Sequence, residues 1–302
     1  MIRPVDVLVE FLHAQQARGV THLHLDPDAR LRLRALHESH RGEKKSVLRP
    51  PSVVVPAGPQ VLPLDAELAD EVMVAAVPLP LPPPPPPPLV ISGSSRAEKL
   101  AALCRQAESW PPARALGSLR EVMVFATGNP DAKIMLIGEA PGYEEERKRE
   151  PFAGPAGEKL DEILKAMGLT RGDVYMTSMV KFRPVTARQT TNNRPPTPEE
   201  IAACLPLVRA EIQIIRPQCI IALGGSVAHG LLGVEGNISE LRGSWHEFEG
   251  VPVRVTYQPS YLLLSNQDTS TRLMVWQDML AVMEKTGLPI SDKQRGYFQP
   301  KP

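Results

Sequence analysis

The feature that most constrains the fold is a short apolar segment that ends abruptly in a glycine-containing turn. Residues 134–137 (Ile-Met-Leu-Ile) form an unbroken apolar run, which is typical of a buried strand in a parallel sheet. Residues 138–142 (Gly-Glu-Ala-Pro-Gly) follow, and their two glycines permit backbone conformations that other residues rarely adopt. They place the Glu139 carboxylate at the carboxyl end of the strand, where open α/β sheets bind ligands. The segment therefore predicts a buried strand and the position of a site.

An aromatic ring and a helix start lie close to that strand in the sequence. Residues 151–157 (Pro-Phe-Ala-Gly-Pro-Ala-Gly) contain Phe152 and precede a helical pattern of apolar residues at 160, 163, 164 and 167. Backbone N–H groups at a helix start suit an anion or a carbonyl-bearing ring. We expect these features to converge on the same strand end.

The rest of the second half of the chain alternates strand and helix patterns. Strands are predicted at 122–125, 134–137, 174–177, 219–224 and 251–257, with helices between them. Thr197, Pro198 and Glu200 form a capping-box signature at the start of a long helix. Such alternation predicts an α/β fold with a mainly parallel sheet that is covered on both faces.

Four regions are predicted from composition and pattern. Residues 1–40 are expected to form a small N-terminal helical segment, in which His22 and His24 share a strand face without the further ligands of a metal site. Residues 41–95 are expected to be a disordered linker, because they end in the proline run 82–88, which favours extended polyproline II. A spacer or a ligand for an aromatic groove are both open roles. Residues 96–290 are the globular domain and 291–302 a flexible tail.

Composition narrows the cellular setting but not the partner. Lys+Arg and Asp+Glu both number 34, so the zero formal charge neither favours nor excludes nucleic acid. Three cysteines without disulfide spacing fit a reducing cytoplasm. The N-terminus lacks the pattern of a signal peptide, and no apolar run reaches membrane-span length. We expect a soluble cytoplasmic monomer with no membrane association.

The ordered motifs resemble the uracil-DNA glycosylase superfamily, and family 4 in particular, whose members usually carry an iron–sulfur cluster. The similar segments are GEAPG, PFAGPAGEKLDEIL, VYMTSMVKFRP, NRPPTPEEIAAC, IIALGGSVA, LRGSWHEFEGVPV and TYQPSYLLL. The resemblance implies a three-layer α/β/α sandwich with a central, mainly parallel four-stranded sheet. It also implies a DNA-repair glycosylase that flips out uracil or a related deaminated base and hydrolyses the N-glycosidic bond.

The resemblance assigns roles to residues at the predicted site. Phe152 matches the ring that stacks on the base, and a plain core position is its alternative. Glu139 could orient water or stabilise developing positive charge, or it could cap a backbone amide. The remaining first-motif contacts to the base are Gly138, Ala140 and Gly142.

Three positions depart from the family pattern. Ser178 stands where the family has an asparagine that reads the pyrimidine edge, and it offers fewer hydrogen bonds. Gln258 replaces a histidine that donates to the base oxygen, and its amide can still donate. Leu264 replaces an arginine. These departures leave open a degenerate protein that binds DNA or damaged bases without cleaving, or a glycosylase for another lesion.

DNA contacts are expected from two segments. Lys181, Arg183 and Arg194 follow the third strand and would meet phosphates, unless they form an ordinary solvated loop. The second segment supplies the wedge that enters the base stack, or else plain loop packing. Its residues are Ser260, Tyr261, Leu262 and Leu263.

The cluster ligands of the family are only half present. Cys104 and Cys204 match two ligand positions, whereas Ala107 and Phe182 stand at the other two. Two thiolates do not hold a [4Fe–4S] cluster in the usual way. We therefore expect no cluster and no metal, with Phe182 filling part of the volume and Cys219 in the core.

Overall fold

The computed structural model describes residues 86–264 and 269–298. The helices in this part of the chain are α1 (Arg96–Glu108), α2 (Pro111–Arg114), α3 (Tyr143–Lys148), α4 (Pro155–Ala166), α5 (Pro198–Ile215), α6 (Gly225–Leu232), α7 (Ile238–Leu241), α8 (Pro259–Leu264), α9 (Thr269–Thr286) and α10 (Asp292–Arg295). The strands are β1 (Leu119–Met123), β2 (Ala126–Gly128), β3 (Ile134–Gly138), β4 (Tyr175–Ser178), β5 (Phe182–Pro184), β6 (Cys219–Leu223), β7 (Trp245–Phe248) and β8 (Val251–Thr256).

A six-stranded sheet in the order β2-β4-β3-β6-β8-β7 forms the middle layer. Its four inner strands pair in parallel, and the two edge strands pair antiparallel with their neighbours. The predicted α/β class and mainly parallel sheet are confirmed, and the two edge strands are an addition. The strand predicted at 122–125 is β1, which ends at Met123 and pairs with β5 in a separate two-stranded sheet.

Helices cover both faces of the sheet because side chains alternate along each inner strand. Met135 and Ile137 of β3 face a core that includes α1, α5 and α6, whereas Ile134 and Leu136 face a second core that includes α4 and α9. The inner strands therefore read as continuous apolar runs. Among the described residues, no helix is long and apolar enough to cross a membrane.

The predicted cap of α5 is present. Thr197 Oγ1 accepts from the Glu200 N–H at 3.3 Å, and a Glu200 carboxylate oxygen accepts from the Thr197 N–H at 2.9 Å. This reciprocal pair satisfies donors that a helix start leaves unpaired.

The domain extends beyond both predicted boundaries. Before α1, the Gln106 amide holds the backbone of Val90 through two hydrogen bonds of 2.9 and 2.6 Å, and Ile91 packs on the core. After α9, the Trp276 indole donates to Gln294 O at 2.7 Å. The prediction of a flexible tail from residue 291 is therefore wrong for residues 291–298, as is that of a free linker for residues 89–95. The predictions for residues 1–85 lie outside the described part of the chain.

Candidate active site

A cleft of about 340 Å³ opens at the carboxyl ends of the parallel strands. It brings together residues from the turn after β3, the start of α4, the end of β4, the loop before α5 and the segment after β8. The lining residues are Gly138, Glu139, Ala140, Pro141, Gly142, Glu145, Phe152, Ala156, Ser178, Asn193, Arg194, Pro195, Pro196, Leu223, Gln258, Pro259 and Ser260. The side chains predicted to act on the base therefore share one cleft.

The Phe152 ring lies against the end of β3. A Cβ atom at Gly138 would approach the Phe152 Cζ to 2.8 Å, so the ring occupies space that only glycine leaves open. Phe152 has a positive φ of 55°, which a non-glycine residue adopts only under constraint. Two contacts constrain it: Gly157 packs directly beneath the Phe152 carbonyl, and Arg171 donates to that carbonyl at 2.7 Å. Arg171 is a positioning residue that the sequence did not single out.

A single carboxylate ties the two glycine-containing turns together. Glu145 accepts from the Gly142 N–H at 3.0 Å with one oxygen and from the Gly154 N–H at 2.9 Å with the other. The amide-capping role considered for Glu139 thus belongs to Glu145. Glu139 is half-buried in the cleft, and its backbone carbonyl accepts from the Val180 N–H at 2.9 Å.

Gln258 is oriented by its neighbour. Ser260 Oγ donates to Gln258 Oε1 at 3.0 Å, so the amide oxygen is already engaged. The Nε2 atom lies beside Gly224, where a Cβ would approach it to 2.7 Å. Gly224 has a φ of +107°, a conformation that favours glycine. The amide therefore keeps N–H donors at the edge of the cleft.

Ser178 ends β4 at the floor of the cleft. Its side chain is buried, and its Oγ would lie 3.7 Å from a Cβ at Gly138. The hydroxyl is thus close to the Phe152 ring, which lies over the same glycine. One small donor and acceptor occupies the position at which the family resemblance implies a larger amide.

Lys181 does not lie on a basic surface, which corrects the predicted phosphate contact. Its side chain is fully buried, and Nζ donates to Thr177 Oγ1 at 2.5 Å, to Ser178 O at 2.9 Å and to Glu211 Oε2 at 2.5 Å. Burial raises the pKa of the Glu211 carboxyl, although the Lys181 charge opposes this. The pair therefore supports the strand end beneath Ser178 from inside the protein.

Arg183 is also buried, so the predicted phosphate contact is corrected here as well. Its guanidinium donates to Glu146 at 3.1 Å, to Thr190 O at 2.8 Å, to Asn192 O at 2.7 Å and to Asn193 Oδ1 at 3.1 Å. The loop before α5 is wrapped around this group. A buried guanidinium can satisfy several carbonyl groups at once because its N–H groups form a fixed fork.

Asn193 is a cleft residue that sequence reasoning missed. Its Nδ2 atom would lie 2.8 Å from a Cβ at Gly142, and among the described residues this N–H₂ group has no hydrogen-bond partner. Its oxygen is engaged by Arg183, so the amide presents donors to the cleft. The only available signal was its place in the NRPP segment.

Arg194 lines the cleft but already has protein partners. It donates to both Glu200 oxygens at 2.9 and 2.6 Å and to Val185 O at 2.7 Å. Burial favours a higher pKa for the Glu200 carboxyl, but hydrogen bonds from Arg194, Ser118 and Thr197 outweigh it and lower that pKa. A phosphate contact by Arg194 stays a prediction.

The predicted wedge segment is divided by burial. Tyr261 and Leu263 are 47% and 36% exposed, whereas Leu262 is 6% exposed and packs inward, so a DNA contact by Leu262 is not supported. Ser260 lines the cleft and orients Gln258. The predicted DNA contacts of Tyr261 and Leu263 are compatible with their exposure.

The four positions of a family-type cluster do not present its ligands. Ala107, Phe182 and Cys204 are completely buried, and the Arg114 guanidinium lies 4.2 Å from the centre of the Phe182 ring. Burial raises the pKa of the Cys104 and Cys204 thiols, which disfavours thiolates. In the described ranges, no group of three or more Cys, His, Asp or Glu is arranged to hold a metal. These residues do not fit a [4Fe–4S] cluster.

Comparisons with known proteins agree with this site. The family model of the uracil DNA glycosylase superfamily matches residues 125–280, which is more than half of the chain. The type-4 uracil-DNA glycosylase of Thermotoga maritima is 40% identical over 162 residues, or 53% of this chain and 81% of the relative. The protein of the same name from Pyrobaculum aerophilum is 36% identical over 174 residues, or 55% of this chain and 84% of the relative.

A solved structure was also compared. Wild-type SMUG2 of Pedobacter heparinus covers 52% of this chain and 77% of its own, at 12% identity and a TM-score of 0.40, a similarity too low to carry an argument. The family match and the identity to two relatives do not depend on it. The chain belongs to the uracil DNA glycosylase superfamily.

Proposed function

We propose that this protein is a DNA-repair glycosylase that flips out uracil, or a related deaminated base, and hydrolyses its N-glycosidic bond. The observation that carries the proposal is the shared cleft, in which the Phe152 ring, Glu139, Ser178 and Gln258 surround one space. The names of the relatives from Thermotoga maritima and Pyrobaculum aerophilum favour uracil as the base. The partner is then DNA that contains the lesion, and the protein acts as a cytoplasmic monomer.

The base is held by stacking and by a small set of polar groups. Phe152 offers an aromatic face at the floor of the cleft, and stacking on such a face is worth about 1–3 kcal/mol per base. Ser178 can donate one hydrogen bond and accept two at the edge of the base. An uracil edge presents carbonyl acceptors and an N–H donor, so a hydroxyl can pair with either kind of group.

Gln258 acts on the leaving base. When the bond between C1′ of the sugar and N1 of uracil breaks, both electrons go to the base and negative charge spreads to its carbonyl oxygens. The Gln258 Nε2 group donates to this charge, since its oxygen is held by Ser260 at 3.0 Å. Loss of one such donor typically costs about 10²–10³ in rate.

Glu139 and Asn193 act on the sugar side of the same bond. Glu139 stabilises the positive charge that develops at C1′ and accepts a proton from the attacking water. The water oxygen bonds to C1′, and the base leaves as an anion that takes a proton from solvent. The Asn193 amide, held by Arg183 at 3.1 Å, offers a donor for that water.

The catalytic steps need no iron–sulfur cluster. The hydrolysis uses only water and groups of the cleft, and the buried Phe182 and Ala107 occupy the volume where ligands would be needed. We expect protein prepared under iron-replete, oxygen-free conditions to contain well under one iron atom per chain. A stoichiometric cluster with its visible absorbance would contradict this part of the proposal.

The function is tested by release of base from short oligonucleotides. Wild-type protein is incubated with uracil-, hypoxanthine- and xanthine-containing single and double strands, and released base is measured by chromatography. Uracil release is expected, and Gln258→Ala should lower its single-turnover rate by about 10²-fold. Gln213→Ala, an exposed glutamine on α5, is the matched control and should leave the rate unchanged.

Two outcomes would contradict the proposal. Release of no base from any substrate by folded wild-type protein would remove it. Equal loss of activity in the Gln258 variant and the Gln213 control would remove the role of Gln258 as the donor to the leaving group.

A further inference from the structure

A short aromatic stack stands beside the cleft, on the segment that carries Gln258. The rings of Tyr257 and Tyr261 lie with their centroids 5.1 Å apart and their planes 21° from parallel. The guanidinium carbon of Arg242 lies 5.6 Å from the centroid of the Tyr257 ring. Two stacked rings backed by a cation are a favourable arrangement for π-systems.

The inner side of this stack is anchored to the core. Arg242 donates to Asp278 Oδ2 at 2.9 Å, and Asp278 is fully buried. The same carboxylate accepts from Arg254 Nε at 2.9 Å and from Thr256 Oγ1 at 2.8 Å. Thr256 immediately precedes Tyr257, so both the backbone and the cation beside that ring are fixed.

The outer side of the stack is exposed at the cleft. Tyr261 follows Ser260, a lining residue of the cleft, and keeps 47% of its surface exposed. Its ring is already stacked on Tyr257, so it has lost much of its rotamer freedom before any ligand arrives. A preordered ring loses less entropy on binding than a mobile one.

We infer that the Tyr257–Tyr261 stack is a subsite for the nucleobase next to the flipped nucleotide in the same strand. The inference rests on the proposed function. When one nucleotide leaves the stack, its neighbour loses a stacking partner, and the exposed Tyr261 ring replaces that partner. Every base has a π-face, so this subsite tolerates any neighbouring base. Tyr261 is then a platform, not a wedge that acts by bulk.

The test uses a single-stranded oligonucleotide with 2′-fluoro-deoxyuridine, an analogue that resists cleavage of its glycosidic bond. The fluorescent base 2-aminopurine is placed directly 5′ or directly 3′ of the analogue, and both affinity and fluorescence quenching are measured. Tyr261→Phe keeps the ring, Tyr261→Leu keeps apolar bulk without it, and Trp245→Leu is a control at another aromatic residue that is 37% exposed. Thermal melting checks that each variant is folded.

The platform predicts quenching of 2-aminopurine at one of the two positions by wild-type protein. Tyr261→Leu should abolish that quenching and weaken binding by about 5- to 150-fold, the range that corresponds to one stacked base. Tyr261→Phe and Trp245→Leu should stay within about twofold of wild type.

Wild-type affinity in Tyr261→Leu, or quenching at neither position, would overturn the inference. Because this readout needs no cleavage, it is separate from the uracil-release assay. Uracil release without quenching removes the platform alone, and quenching without uracil release removes the proposed reaction.

Discussion

Replacement of Arg183 by lysine tests whether a buried cation sets the geometry of the cleft. In the wild-type protein the guanidinium makes four hydrogen bonds, one to Glu146 and three to the loop that carries Asn193. A lysine ammonium can keep the charge beside Glu146, but it lacks the planar fork needed to reach the loop groups as well. Arg183→Lys therefore separates the ion pair from the positioning of the loop.

The expected cost in stability is small compared with the expected cost in rate. Thr190 and Asn192 are exposed residues, so water can replace the lost donors at their carbonyl groups, and we expect a loss of about 1–3 kcal/mol. Displacement of a cleft group by about 1 Å can cost about 10² in rate. Full truncation to alanine would leave the buried Glu146 short of one partner and cost about 3–5 kcal/mol, so it is less informative.

The assay is single-turnover uracil release beside urea unfolding. Arg114→Lys is the matched control, because Arg114 also donates to three backbone carbonyls, those of residues 108, 120 and 121, and lies outside the cleft lining. We expect a similar loss of stability in both variants and a loss of rate only in Arg183→Lys. An unchanged rate in Arg183→Lys, or an equal fall in both variants, would refute the positioning role.

Three further predictions concern single positions in the core and the cleft. Gly138→Ala places a Cβ 2.8 Å from the Phe152 ring and should lower the uracil-release rate by at least about 10-fold; Gly172→Ala, where the nearest atom would be 3.6 Å away, should not, and equal rates would contradict the role of the ring. Ser178→Asn should raise the rate on uracil, since it adds an amide at the base edge; a fall would mean that the buried site has no room for it. Burial raises the pKa of Cys219 to about 12, so the folded state binds this proton more tightly than the unfolded state, and the associated stability is present below about pH 9 and is lost as the pH rises towards 12. The unfolding free energy of Cys219→Ala should therefore fall less than that of wild type between pH 8 and 10, by about 1 kcal/mol, and parallel curves would contradict the burial of the thiol.

Local pattern was sufficient where the physical cause was itself local. The run at 134–137 became β3 because an apolar segment of that length is stable only with both faces covered, and Gly138 is required because the Phe152 ring takes the space of a Cβ. The cap at Thr197 involves residues only three apart, so its signature was readable directly.

Charged residues show where local pattern was insufficient. Lys181 and Arg183 resemble a basic loop in sequence, but their partners Glu211 and Glu146 lie 30 and 37 residues away, and only the folded chain brings them together. A charge is buried when such a partner compensates its desolvation, and sequence spacing does not report that partner.

The sequence by itself determined the α/β class, the strand end that carries the cleft and the absence of two cluster ligands at Ala107 and Phe182, because these follow from residue type and short-range period. The tertiary structure decided which side chains of that region face the cleft and which support it from within. It turned Lys181 and Arg183 inward, brought Asn193 to the rim and buried Leu262, because each of these outcomes depends on contacts between segments that are distant in the chain.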